Sequence, residues 1–166
     1  EIVKTICYWI EIWLKKFYQD VDIRYILHDV EAAEVDKERF YQLTPGGGTM
    51  ISSAFKILDD RMKTFYPSIE HNIYPLYFGD YQNWSEHDDV ETAKIILENI
   101  LPNVNQLSLC MLSSQYAYMA NYKNFSDKLI DKFGDNEEFK KKTVMTKAES
   151  KSDCYNIIKA FLSKGN

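Results

Sequence analysis

The first apolar positions recur with helical spacing: Val3, Ile6, Ile10, Trp13, Leu14 and Phe17, with Lys4, Glu11, Lys15 and Lys16 filling the other faces. This predicts an opening helix. Residues 21–27 are rich in β-branched and aromatic side chains and read as a strand. Residues 30–35 read as a charged edge strand folded back on it through His28 and Asp29, and residues 36–42 as a helical turn. Ile51, Ala54, Phe55, Leu58, Met62 and Phe65 trace an amphipathic helix, with Thr49 as its cap and Pro67 as its stop. A strand follows at 72–78, although its Pro75 has no N–H to give a ladder. Val90, Ala93, Ile96, Leu97 and Ile100 mark the next helix, stopped by Pro102, and 106–112 the next strand. The remainder predicts a helix at Phe125–Phe133, a strand at 139–146 and a closing helix at 153–162.

Strands alternating with helices predict one α/β domain over residues 1–166, with a mainly parallel sheet covered on both faces. Composition agrees with a packed fold: 45% of the residues are hydrophobic and 27% charged. The net charge of −5 argues against a nucleic-acid partner, whose phosphates need a basic face. No stretch approaches the roughly 20 apolar residues of a membrane-spanning helix. Cys7, Cys110 and Cys154 are odd in number, widely spaced and set among apolar neighbours. They suit a reducing cytoplasm better than a disulfide framework or a zinc site.

Ligands of open α/β sheets bind beyond the carboxyl ends of the strands. Two segments qualify: the loop Thr44-Pro45-Gly46-Gly47-Gly48-Thr49, which runs into a helix, and Asp80, just after a strand. Together Thr49 and Asp80 offer the oxygen ligands that a hard cation such as Mg²⁺ takes. Taken singly, a Thr before a helix is a cap and an Asp after a strand a turn former. The glycine loop lacks the Lys of a P-loop, and no GxGxxG opens a helix, so nucleotide binding is not expected. His28 beside Asp29, with Asp80, is the one candidate for acid–base chemistry; His71 and His87 lie far away in sequence. Trp84, in an acidic loop, is either an interface anchor or a ring tucked under the domain. The run Lys140-Lys141-Lys142 reads as a solvated strand edge.

The string from Val21 to Asp36, with Gly47-Gly48-Thr49-Met50-Ile51-Ser52-Ser53-Ala54, Gly79-Asp80 and Asn83-Trp84-Ser85, resembles the bacterial YeaH/YhbH family of stress-response and sporulation proteins. The resemblance implies a three-layer, Rossmann-like von Willebrand factor A-type domain with strand order 3-2-1-4-5-6. It also implies a metal-ion-dependent adhesion site holding Mg²⁺ or Mn²⁺. Such a site draws an Asp-x-Ser-x-Ser motif from the first, central strand, a Thr from a second loop and an Asp from a third. Thr49 and Asp80 match the second and third, with Gly48 and Trp84 beside them as partner-binding residues.

Where the family reads Asp-Gly-Asp-Asn-Trp, this chain reads Asp80-Tyr81-Gln82-Asn83-Trp84, without the Gly and the second acid. No Ser, Thr, Asp or Asn precedes Glu1, and on the family register the opening helix follows a strand that the chain lacks. The resemblance thus implies a non-catalytic, cytoplasmic protein-binding module linked to a serine protein kinase system, and the missing strand leaves room for an oligomer formed by strand exchange. The competing expectation is a hydrolase or phosphoryl-transfer enzyme built on the glycine loop, His28 and Asp80.

Overall fold

A computed structural model describes residues 1–42, 50–80, 82, 83, 85–113 and 125–163. Helix α1 (Ile2–Phe17) leads to an antiparallel hairpin, β1 (Tyr25–His28) and β2 (Ala32–Val35), and then to the short helix α2 (Lys37–Gln42). Helix α3 (Ile51–Phe65) precedes strand β3 (Leu76–Gly79), and α4 (Glu86–Ile95) continues through a wider π turn (Ile96–Ile100) and a 3₁₀ turn (Leu101–Asn103). Strand β4 (Leu107–Leu112), helices α5 (Phe125–Phe133) and α6 (Glu137–Lys142), strand β5 (Thr143–Ala148) and helix α7 (Cys154–Ser163) complete the order.

Strands β3, β4 and β5 form a parallel sheet in that order, with Phe78 opposite Cys110 and Cys110 opposite Thr146. Parallel neighbours need crossovers, and α4 and then α5 with α6 supply them. Alternation along each strand sends side chains to two helical layers. Tyr77, Leu107 and Leu109 pack with Ile51 and Phe55 of α3, Ala93 of α4 and Leu129 of α5. Cys110, Leu112 and Phe78 turn the other way, onto Ile6 and Ile10 of α1 and Ile157 and Phe161 of α7. The result is three layers, helix on sheet on helix.

One continuous sheet is not observed. Strands β1 and β2 make a separate two-stranded sheet, and among the described residues β1 forms no ladder with β3. Helix α3 spans both sheets, packing on β1 and β2 as well as on the core beneath Tyr77.

Several boundaries move for identifiable reasons. The strands expected at 21–27 and 72–78 shorten to Tyr25–His28 and Leu76–Gly79. Pro75 stands just before β3 and uses only its carbonyl, which accepts the Ser108 N–H at 2.9 Å, so its missing N–H costs no ladder bond. The segment expected to be strand from Phe139 begins instead as helix α6. Asn136 caps it by accepting the Phe139 N–H at 2.9 Å, Glu137 and Glu138 fill its first turn, and the three lysines fill its last. Opposite charges at the two ends suit the helix dipole. Lys142, expected on a strand edge, donates to the carbonyl of Leu101 at 2.7 Å. The final helix starts where Ser150 and Asp153 form a reciprocal capping box.

Glu11 joins α1 to the hairpin and to α2. It is only 5% exposed, and its carboxylate accepts from Lys15 at 2.7 Å, Lys37 at 2.5 Å and the Tyr25 hydroxyl at 3.0 Å. Burial pushes its acidity constant up, but the two ammonium groups and the phenol outweigh that and hold it at about 2, below the ordinary 4.5. A depressed carboxyl stabilises the fold above its unfolded value and loses that contribution as pH falls through the folded one. Acid titration should therefore show stability falling between pH 4.5 and about 2. Glu11→Gln should flatten that slope and cost about 2 kcal/mol at neutral pH, as measured by urea denaturation at a series of pH values.

Candidate functional site

The carboxyl ends of β1 and β3 meet the N-termini of α3 and α4 on one rim of the sheet. Helix α3 begins after Met50, which offers no side-chain cap. Its first free N–H groups are met from the α4 side instead. Asn83 Oδ1 accepts the Ile51 N–H at 3.4 Å, and Asp88 accepts both the Ser52 N–H at 3.1 Å and the Ser52 hydroxyl at 2.5 Å. Ser53 donates its N–H to the Met50 carbonyl at 3.2 Å. The positively polarised end of α3, expected to face a ligand, is thus closed by the protein's own carboxylate. Thr49, expected to cap this helix, lies outside the described residues, as do Gly48, the rest of the glycine loop, and Trp84.

Helix α4 is capped by Ser85, whose hydroxyl accepts the Asp88 N–H at 3.2 Å. Asp88 and Asp89 are both buried, at 4% and 5% exposure. Besides Ser52, Asp88 receives the Thr92 hydroxyl on its carbonyl at 2.7 Å, while Asp89 accepts from Asn83 at 2.9 Å and from Lys128 of α5 at 2.5 Å. Either acid could be read from its place before an apolar run as a cap of its own helix. The structure puts Asp88 to work on the neighbouring one. The spacing Ser85-x-x-Asp88 is a readable capping signal; the reach to Ser52, 36 residues away, is not.

Asp80 stands directly after β3, half-buried, where its Oδ1 accepts the Gln82 N–H at 3.1 Å. His28 closes β1. Its ring stacks on Tyr77 of β3, 5.3 Å between centroids and 20° between planes. Its Nδ1 is buried and has no hydrogen-bond partner among the described residues. Burial lowers the affinity of this ring for a proton; the negative charge of Asp80, the Phe78 backbone and the charge of Asp29 pull the other way without cancelling it. The structure therefore brings His28 and Asp80 into one neighbourhood, but no carboxylate holds the His28 Nδ1 as an acid–base pair would require.

A hard cation takes about six oxygens. Among the described residues no group of three or more His, Cys, Asp or Glu side chains is arranged to hold a metal. Asp80 alone falls short of such a donor set. The three cysteines are free, and burial raises the Cys7 thiol to about 12, which makes it a poor nucleophile or metal ligand at neutral pH. No helix among the described residues is long and apolar enough to cross a membrane.

Residues 1–165 match the family model described as "Protein of unknown function (DUF444)". The chain belongs to this family. Among relatives of this DUF444 chain, a UPF0229 protein of Teredinibacter turnerae is 28% identical over 164 residues, covering 99% of the chain and 37% of that protein. A UPF0229 protein of Pseudomonas syringae pv. tomato is 30% identical over 80% of the chain and 32% of its own length. One from Vibrio vulnificus is 36% identical over 62% of the chain and 24% of its own length. The DUF444 chain thus spans about a third of the length of the first two of these curated relatives. No solved structure matches it.

Proposed function

We propose that this DUF444 chain forms most of a von Willebrand factor A-type protein-binding module that has no catalytic role of its own. The observation that carries the reading is the division of the sheet between β1 and β3. Strand β1 packs on α3, Tyr77 of β3 meets Phe55 of the same helix, and His28 and Tyr77 stack across the gap, with Asp29 and Asp80 just beyond. In the von Willebrand factor A order a central strand lies at this place. A strand there would pair with both edges and deliver oxygen donors next to Asp80. The length of the relatives leaves ample chain to supply it.

In the complete protein, Mg²⁺ or Mn²⁺ would then be held by Asp80, by Thr49 and by oxygens of that strand. Such a cation offers an open position to an acidic group of a protein partner. Gly48 and Trp84 would border the contact. The resemblance to stress-response and sporulation proteins points to a cytoplasmic setting and to a serine protein kinase system as the partner. The enzyme reading draws little support, because the His28 ring packs against Tyr77 and its buried nitrogen is paired with no acid among the described residues.

Calorimetry tests the proposal. This chain extended to the length of its relatives should bind Mg²⁺ or Mn²⁺, and Asp80→Ala should remove most of that affinity, about tenfold or more. The 166-residue chain alone should bind weakly or not at all. Equal metal binding by the extended protein and its Asp80→Ala variant would sink the claim.

A further inference from the structure

His28 is a titratable ring set at a joint of the fold. It closes β1 and lies nearly parallel to Tyr77 of β3, 5.3 Å between centroids, so the pair bridges the two separate sheets. Tyr77 is seated in the core against Phe55 of α3. The hairpin is also tied away from this ring: Tyr25 donates to Glu11 of α1, and Glu34 of β2 accepts from Arg61 of α3 at 2.6 Å. Beside His28 the backbone tie is a long one, from the Met50 N–H to the Asp29 carbonyl at 3.5 Å.

The His28 Nδ1 is buried and has no hydrogen-bond partner among the described residues. A neutral imidazole tolerates this, because one of its nitrogens carries a lone pair and no proton. A proton added at Nδ1 would instead create a buried, charged donor with nothing to accept from it, which costs far more than a lone pair left idle. The groups acting on the ring are Asp80 beyond β3, the Phe78 backbone and Asp29 at its own end of β1; Tyr77 adds a phenol, on which Asp88 of α4 acts in turn. The two nearby charges draw a proton toward the ring, yet neither carboxylate bonds its Nδ1, and burial keeps the ring's proton affinity below the ordinary 6.5.

We propose that His28 is a pH-sensitive latch: as a neutral ring it fastens the β1–β2 hairpin to Tyr77, and on mild acidification it takes a proton from solvent, leaves the stack and releases the hairpin. A histidine held below its unfolded proton affinity contributes fully above the unfolded value of 6.5 and loses that contribution as pH falls through it. Glu11 keeps its charge down to about pH 2, so the tie at Tyr25 is intact throughout and the loosening is local. The latch belongs to this chain alone and stands or falls independently of the adhesion site.

Hydrogen exchange of the 166-residue chain in a chelator, corrected for the pH dependence of exchange itself, tests it. Protection within Tyr25–His28 and Ala32–Val35 should fall about five- to tenfold from about pH 7.5 to about pH 5.5, the effect of one proton taken up by the released ring, while Leu107–Leu112 changes less than about twofold. His28→Phe keeps a ring for Tyr77 but has no proton to gain, and its hairpin should hold the same protection across that range within about twofold. The native series decides the matter even if that variant fails to fold. Hairpin protection that is constant, that rises on acidification because His28 pairs with Asp80, or that falls equally in β4 overturns the proposal. So does an undiminished fall in a folded His28→Phe protein.

Discussion

Asp88→Ala should destabilise the chain by about 3 kcal/mol, lowering the melting temperature by about 6 to 12 °C for a domain of this size. Ser52 is fully buried, and its N–H and hydroxyl both donate to the Asp88 carboxylate. Removing that acceptor strands two donors away from water, a larger loss than that of an ordinary hydrogen bond. The damage spreads, because the same side chain fastens α3 to α4 at the rim that carries Asp80. Asp88→Asn keeps an acceptor oxygen and should cost about half as much. Ser52→Ala, which deletes only the hydroxyl, should cost less again. Thermal denaturation of the three variants checks the order, and an Asp88→Ala protein as stable as the native one would show that Asp88 does not anchor α3.

Tyr77→Ala should have the other large effect, about 3 to 5 kcal/mol, as expected for truncating a buried ring. Tyr77 is 8% exposed and stands between two partners: the His28 ring stacked at 5.3 Å, and Phe55 of α3, tilted at 5.3 Å. It is one contact by which the three-stranded sheet holds the hairpin. Losing it should loosen β1 and β2 more than β4 and β5. Amide exchange should therefore accelerate at Tyr25–His28 beyond the change seen at Leu107–Leu112, whereas uniform acceleration would mean that Tyr77 acts only as core volume. Gly79 belongs to the same arrangement, since a Cβ there would lie 2.7 Å from the Tyr77 hydroxyl and push the ring off its seat.

Helices with a strong apolar period were legible as elements. Helix α3 runs Ile51–Phe65 and α5 runs Phe125–Phe133, where the spacing places them, because each buries one stripe on a sheet and stops at a clear break. Strands were legible in existence but not in length: Val21 and Ile23 have the residue types of a strand and yet precede the paired part of β1. Helix α6 was missed because Phe139, Val144 and Met145 dominate the reading, although Glu137, Glu138 and the three following lysines carry the charge gradient of a helix.

At the candidate site, Asp80 was legible because an acid after a strand is a local pattern. The roles of Asn83 and Asp88 were not, because each depends on a helix more than 30 residues away. The division between the sheets is likewise tertiary, since β1 and β3 are separated by two helices and any strand joining them need not adjoin either in sequence.

Hydrogen exchange at the two facing edges tests that division most directly. A strand has ladder groups on both sides, so β1 and β3, which among the described residues pair only with β2 and β4 respectively, each turn alternate N–H groups toward the gap. When the chain is extended to the length of its relatives, those alternate amides within Tyr25–His28 and Leu76–Gly79 should slow by about a hundredfold, while amides already paired in β4 and β5 change little. Exchange at the facing edges that is the same in the two proteins would contradict a strand between β1 and β3, and with it the adhesion site built on Thr49 and Asp80.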